Sequence, residues 1–297
     1  MNALSAWLPW WGRLSAKLVL SRLPVPYRVW QRLQLFRHGG MDRPDYAWRI
    51  FARHFQRTPF VRKGEGFVVL ELGPGDALTS AVAARALGAT AVFLVDQAPA
   101  ARPDLAVYRA MAAHLRGLDL PAPDLAAARS LDDVLAACGA RYLTGGWRSL
   151  AEIGAGTVDF TFSQAVLEHV RRHEVPPLLR ELRRVLRWDG MASHSIDLKD
   201  HLGGGLNHLR FPGRAWESGL LAASGFYTNR LGVGEWEAAF AAAGFACRRL
   251  AATRWAEPPL PPERLAAEFA ARAPAELRVS ELEVLLLPAA AAKMRVA

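Results

Sequence analysis

The spacing of apolar and polar positions changes character near residue 66. Residues 1–60 read as helical, with breaks at Pro9, Pro24, Pro26 and Pro44. Beyond that point, short apolar runs alternate with amphipathic stretches, which predicts strands alternating with helices. FVVLEL (67–72) reads as a buried strand. DALTSAVAARAL (76–87) reads as a helix, with Asp76 placed to cap it and Gly88 to end it. AVFLVD (91–96) is a second strand, again ending in an acid. Residues 98–139 make a long crossover, Pro-punctuated and Ala-rich, expected to hold two helices. RYLTGG (141–146) is a weak third strand and TVDFTFS (157–163) a fourth. Helical periodicity runs through 174–187, and GMASHSIDL (190–198) is a fifth strand. A helix at 234–245, a strand at 246–253, a helix at 261–273 and a strand at 280–288 complete the pattern, and only the last eight residues lack one. Such alternation implies a mostly parallel sheet covered on both faces.

Composition narrows the partners. The chain has 297 residues, 52% of them hydrophobic, and a formal charge of +9. The excess is mostly Arg spread along the chain with no basic tail, so a solvated basic surface or contact with a membrane or glycan is expected ahead of nucleic acid. Two cysteines, Cys138 and Cys247, form no CxxC pair and suit a reduced, cytoplasmic setting. The first 20 residues are apolar but lack a basic leader, and Arg13, Lys17 and Arg22 interrupt them short of a membrane span. Trp7, Trp10 and Trp11 beside basic residues suit an interfacial helix. Residues 1–22 are therefore expected to touch the inner membrane weakly, at the periphery.

Candidate chemistry begins at VVLELGPGDALTS (68–80). Ligands of open α/β sheets sit beyond the carboxyl ends of the strands. Gly73 and Gly75 supply a tight turn, but a dinucleotide site needs a third glycine where Leu78 stands. Glu71 would also repel a pyrophosphate, which disfavours an NAD(P)-dependent reductase. A cationic ligand reverses that argument, and Asp96 ends the second strand where a ribose diol needs an acceptor.

In these residues the chain resembles class I S-adenosylmethionine-dependent methyltransferases. Glu71-Leu72-Gly73-Pro74-Gly75 matches that family's acidic glycine turn, and Asp96 its second acid. TVDFTFSQAVLEHV (157–170) is similar to its strand-four segment, and LLRELRRVLRWDG (178–190) to the helix leading into strand five. The resemblance covers about residues 65–290. It implies a Rossmann-like, doubly wound, seven-stranded and mostly parallel sheet whose last strand is an antiparallel insertion. It further implies S-adenosylmethionine as cofactor, and the helical pattern before it is read as an N-terminal cap over residues 1–62. The methyltransferase domain is then 63–297, with inserted segments near 98–139 and 198–233. Two departures are Ala77 at the family's third glycine and Gly145-Gly146-Trp147 after strand three, where an acid is common.

The expected cofactor contacts are Glu71, Gly73, Gly75, Asp96, Gln97, Trp147 and Ser163. Trp147 is read either as an adenine stack or as a core tryptophan. Ser163 and Gln164 lie either against the methyl-transfer position or at a helix cap. Glu168 and His169 follow one turn later. The stretch HSIDLKDHLGGGLNHLRF (194–211) is the richest, and long polar loops in compact domains are usually functional. Its His201, then Asp197, are the expected general bases, with His169 the next candidate. Asp197, Asp200 and His201 have metal-ligand chemistry but no distinctive spacing, and no metal is expected. The acceptor is expected to be a hydroxyl on a small molecule or glycan. SRLPVPYRVW (21–30), LFRHGGMD (35–42) and DLKDHLGGGLN (197–207) are loosely similar to bacterial methyltransferases of surface-polysaccharide or secondary-metabolite pathways. The alternatives are the reductase and a non-catalytic S-adenosylmethionine-binding protein of the same fold.

Overall fold

The computed structural model describes residues 9–20, 22, 39–60 and 66–294. Trp7, Pro24, Pro26, the stretch 21–30 apart from Arg22, and residues 35–38 lie outside the described residues. Seven strands form one sheet: β1 (Val68–Leu72), β2 (Ala91–Val95), β3 (Ala140–Leu143), β4 (Val158–Gln164), β5 (Leu186–Asp197), β6 (Phe245–Arg254) and β7 (Val279–Pro288). Their order is β3-β2-β1-β4-β5-β7-β6. The first five pair in parallel, whereas β7 runs antiparallel between β5 and β6. The seven strands, with the last one inserted antiparallel, are what the resemblance implied, and the strand order reverses at β1/β4, where ligands of such sheets bind.

One face of the sheet carries the helices Pro44–Arg57, Thr79–Ala86 and Leu105–Arg116. The other carries Val175–Val185 and Val233–Ala242. Helix Val175–Val185 buries Val175, Leu178, Leu179, Leu182 and Val185, the i, i+3, i+4 stripe that its sequence predicts. Helix Pro44–Arg57 likewise buries Phe51 and Phe55, and these rings meet Phe60, Phe67, Phe160 and Phe162 in one aromatic layer. Residues on both sides of position 62 thus share one core.

Four local expectations are corrected. Asp76 does not cap its helix, which starts at Thr79 with Leu78 at the cap position and no side-chain hydrogen bond. The span 261–273 forms two 3-10 turns, Pro262–Arg264 and Ala267–Phe269, instead of a helix. Within it Phe269 is buried, with the guanidinium groups of Arg230 and Arg272 4.8 and 4.7 Å from its ring. β5 begins earlier than its apolar run, at Leu186, across a register shift opposite Val158 and Phe160. Residues Ala289–Met294 form a short helix where no pattern was legible.

Candidate active site

The end of the sheet expected to hold the cofactor is built by backbone. After β1 the chain turns at Gly73 and Gly75, whose φ values of +66° and +73° favour glycine. A Cβ on Gly73 would lie 2.5 Å from Val166 Cγ2, so no larger residue fits there. The Gly73 amide donates to the Val95 carbonyl at 2.8 Å, tying the turn to β2. Just beyond β2, the Asp96 carboxylate accepts from the amides of Gly75 at 3.2 Å and Gln97 at 2.7 Å. The glycine turn and the second acid are therefore joined across the strand ends. Gln97 is exposed, and its amide oxygen lies where a Cβ on Gly146 would come within 2.5 Å. Trp147 is half-buried against the second core cluster, with the Arg148 guanidinium 4.7 Å from its ring.

Glu71 is 3% exposed and accepts a hydrogen bond from the Ser80 hydroxyl. Burial pushes its carboxyl up to about 8, the Ser80 bond pulls it down, and Asp96 pushes it up again. Its hydrogen-bond partner is neutral, so a ligand bringing positive charge gains by ionising it. An acid in this state, a glycine turn without side chains and a half-buried carboxylate beside them fit a sulfonium ligand with a ribose diol. Ser163 does not belong to this set. Strand alternation sends it to the other face, where it is fully buried 2.7 Å from His194 Nδ1.

The acceptor end is assembled from distant segments. β4 ends at Gln164, and Ala165 then takes φ +53°, a left-handed conformation that non-glycine residues rarely adopt. That turn sets Val166 against Gly73 and starts the 3-10 turn Leu167–His169. The chain after β5 reaches back to fix it. Asn229 donates from its side chain to the carbonyls of Leu167 and Val170, at 2.8 and 3.1 Å, and its amide donates to that of Glu168 at 2.7 Å. His169 Nδ1 donates to the Tyr227 carbonyl at 2.8 Å. Asp200 is a structural residue: its carboxylate accepts from the amides of Leu202, Gly203, Gly204 and Asn207 and from the Asn207 side chain.

Against this frame, His201 stands edge-on to His169 with ring centroids 4.7 Å apart. Its Nε2 is buried, lacks a hydrogen-bond partner among the described residues and lies 4.0 Å from Asp197 Oδ2. Burial lowers the imidazole to about 4, with Lys17 adding to the effect. Burial raises the Asp197 carboxyl, and a hydrogen bond from the Lys199 amide opposes this. Helix Trp10–Leu20 covers the loop, with Lys17 Nζ donating to the His201 carbonyl at 2.6 Å and Arg13 to that of Leu202 at 3.2 Å. Trp10, Leu14 and Leu18 pack on the cluster of Leu202, Trp216 and Tyr227. Trp11 and Val19 face outward, 60% and 63% exposed. No helix among the described residues is long and apolar enough to cross a membrane.

Arg53 and His54 of the N-terminal segment went unrecognised as site neighbours in the sequence pattern. Arg53 donates to the Gln164 side chain and pairs with Glu283 at 3.3 Å. His54, held near 3 by burial, lies 2.8 Å from Ser193 Oγ and 3.2 Å from Gln164 Oε1. Together they buttress the β4 end from the opposite face.

Residues 101–193 match the methyltransferase domain family. The match starts beyond the glycine turn and Asp96, whose roles therefore rest on geometry. With the sheet order, it marks the protein as an S-adenosylmethionine-dependent methyltransferase of class I architecture. Solved structures with similar folds include an S-adenosylmethionine-dependent methyltransferase from Mesorhizobium loti, 18% identical, covering 82% of this chain and 97% of that one at a TM-score of 0.44. Another is a complex of a methyltransferase with the Haloferax volcanii activator Trm112, 16% identical, covering 84% and 91% at 0.46. A third is geranyl diphosphate C-methyltransferase from Streptomyces coelicolor, 15% identical, covering 82% and 78% at 0.44. Among curated proteins, no sequence match was found.

Proposed function

We propose that the protein O-methylates a hydroxyl group on a small molecule or glycan, with the acceptor seated between the Leu167–His169 turn and the loop after β5. The observation that carries this reading is the buried, unbonded His201 Nε2 beside Asp197 and His169. Bound S-adenosylmethionine supplies an electrophilic methyl group. Glu71, Gly73, Gly75, Asp96 and Gln97 hold the cofactor's cationic and ribose parts, with Trp147 beside the adenine. A hydroxyl oxygen then needs alignment and loss of its proton. His201 takes that proton first, with Asp197 second and His169 third. The sequence alone suggested an ordinary imidazole, matched to neutral pH. With His201 lowered to about 4, the ring is neutral and ready to accept, but it is a weaker base than that. Asp197, raised by burial, stabilises the imidazolium or takes the proton itself.

Residues 1–62 act in this reading as a helical cap on the catalytic unit 63–297. Their outward Trp11 and Val19 give weak contact with a membrane surface. A cytoplasmic setting and a bacterial polysaccharide or secondary-metabolite pathway accord with it. The test supplies methyl-labelled cofactor with separated glycan and small-molecule extracts and locates the label by NMR. Label on oxygen is the expected result. Label on carbon or nitrogen contradicts the acceptor class, and cofactor binding without any transfer contradicts catalysis.

A further inference from the structure

We propose that Glu168, His169 and His201 form a site for one divalent transition-metal ion. One ligand atom from each of the three lies within 4.8 Å of those of the other two. Glu168 is only 1% exposed, and its carboxylate oxygens are faced by the backbone amides of Glu168 and Asp197 but reach no partner in full hydrogen-bond geometry among the described residues. A carboxylate so deep is strongly disfavoured unless it is protonated or a cation sits beside it. His201 Nε2 is likewise buried and unbonded. His169 already donates Nδ1–H to the Tyr227 carbonyl at 2.8 Å. That bond fixes the tautomer and leaves Nε2 as the lone-pair donor, as metal-bound imidazoles generally require.

The frame is built before any ion arrives. Asn229 clamps the turn that carries Glu168 and His169, and Lys17 anchors the His201 carbonyl. Asp197 Oδ2, 4.0 Å from His201 Nε2, supplies an outer partner. Asp200 is excluded as a ligand because five hydrogen bonds already occupy it. Two imidazoles and one carboxylate suit zinc, iron or cobalt with positions left open for substrate oxygen. Magnesium and calcium favour all-oxygen sites. A water molecule is the competing occupant, since a cavity of about 20 Å³ touches Glu168, Asp197 and Asn229. Water would satisfy the carboxylate but gives no reason for two imidazoles to converge on it.

The inference rests on the ligand set and holds whatever the acceptor is. An ion held here would occupy the His201 lone pair, so the base role proposed above for His201 applies to the metal-free protein, and Asp197 would be the base candidate beside a metal. The test uses the full chain stripped with a chelator and then titrated, with zinc by calorimetry and cobalt by visible absorption. The expected result is one ion per chain, bound at least ~10-fold more weakly in both His169→Ala and His201→Ala. His173→Ala, on the exposed surface, serves as the unaffected control. Glu168→Gln should weaken binding similarly where circular dichroism shows it folded. His169 is exposed, so its variant stays informative even if Glu168→Gln unfolds. Absence of stoichiometric binding, or binding unchanged in both histidine variants, overturns the site. Neither readout involves acceptor or cofactor, so failure here is separate from failure of the O-methylation reading.

Discussion

The two ends of the cleft are made in different ways. At the cofactor end, residues 71–75 and Asp96 meet across neighbouring strands, and backbone amides make most of the contacts. At the acceptor end, the 3-10 turn after β4, the loop after β5 and helix Trp10–Leu20 converge, and side chains reaching to carbonyls join them. A backbone-built site tolerates sequence change except where a Cβ would intrude, as at Gly73. A side-chain-built site depends on individual residues and on loops that must fold first. The first should bind cofactor almost regardless of the second, and chemistry should depend on both.

Substitution at the acceptor end is the sharpest way to break that contrast. His201→Ala and Asp197→Asn are each expected to slow single-turnover methyl transfer by ~100- to 10,000-fold. Retention of more than about a tenth of the wild-type rate in both would move the base elsewhere, to His169 first. A smaller effect is expected from pH at the cofactor end. Glu71 lies near 8 in the folded protein, against an ordinary 4.5, with Ser80 and Asp96 as the groups that face it. Between those values the folded protein holds a proton that the unfolded chain has lost, so stability falls as pH rises from about 4.5 to about 8. The slope from this group is at most about 1.4 kcal/mol per pH unit. Thermal unfolding across that range should show it, and Glu71→Gln should flatten it. An unchanged slope in that variant would return Glu71 to an ordinary carboxylate. The smallest effect should follow deletion of residues 1–22, whose helix Trp10–Leu20 covers the loop after β5. Cofactor affinity is then expected to stay within a few-fold, and liposome sedimentation to be weak before deletion. Tight sedimentation that disappears on deletion would make membrane binding a principal role of helix Trp10–Leu20.

The same contrast explains what could be read from the sequence. All seven strands were legible, because a buried parallel sheet writes itself as short apolar runs. The turn at Gly73 and Gly75 and the place of Asp96 beside it were legible because they follow from local turns and strand ends. The surroundings of Ser163 were not legible, since one step of strand alternation decides which face a residue meets and sets it beside His194. Arg53 and His54 were missed because nothing in helix Pro44–Arg57 announces that its polar positions meet β4 and β5. The role of Asn229 as a clamp and of Asp200 as a loop knot depends on partners many residues away. Both look in sequence like any polar loop residue. The 261–273 span shows the opposite error, with a helical pattern that folds instead as two 3-10 turns around a buried Phe269.

The central claim is that cofactor binding belongs to the glycine turn and Asp96, independently of the acceptor end. Calorimetric titration with S-adenosylmethionine tests it most directly, on wild type, Asp96→Ala and His201→Ala, each shown to be folded. Loss of charge-assisted hydrogen bonds at Asp96 should cost about 2–4 kcal/mol, or roughly 30- to 1,000-fold in affinity. His201→Ala should bind as wild type does. Unchanged affinity in Asp96→Ala, or a comparable loss in His201→Ala, would contradict the account.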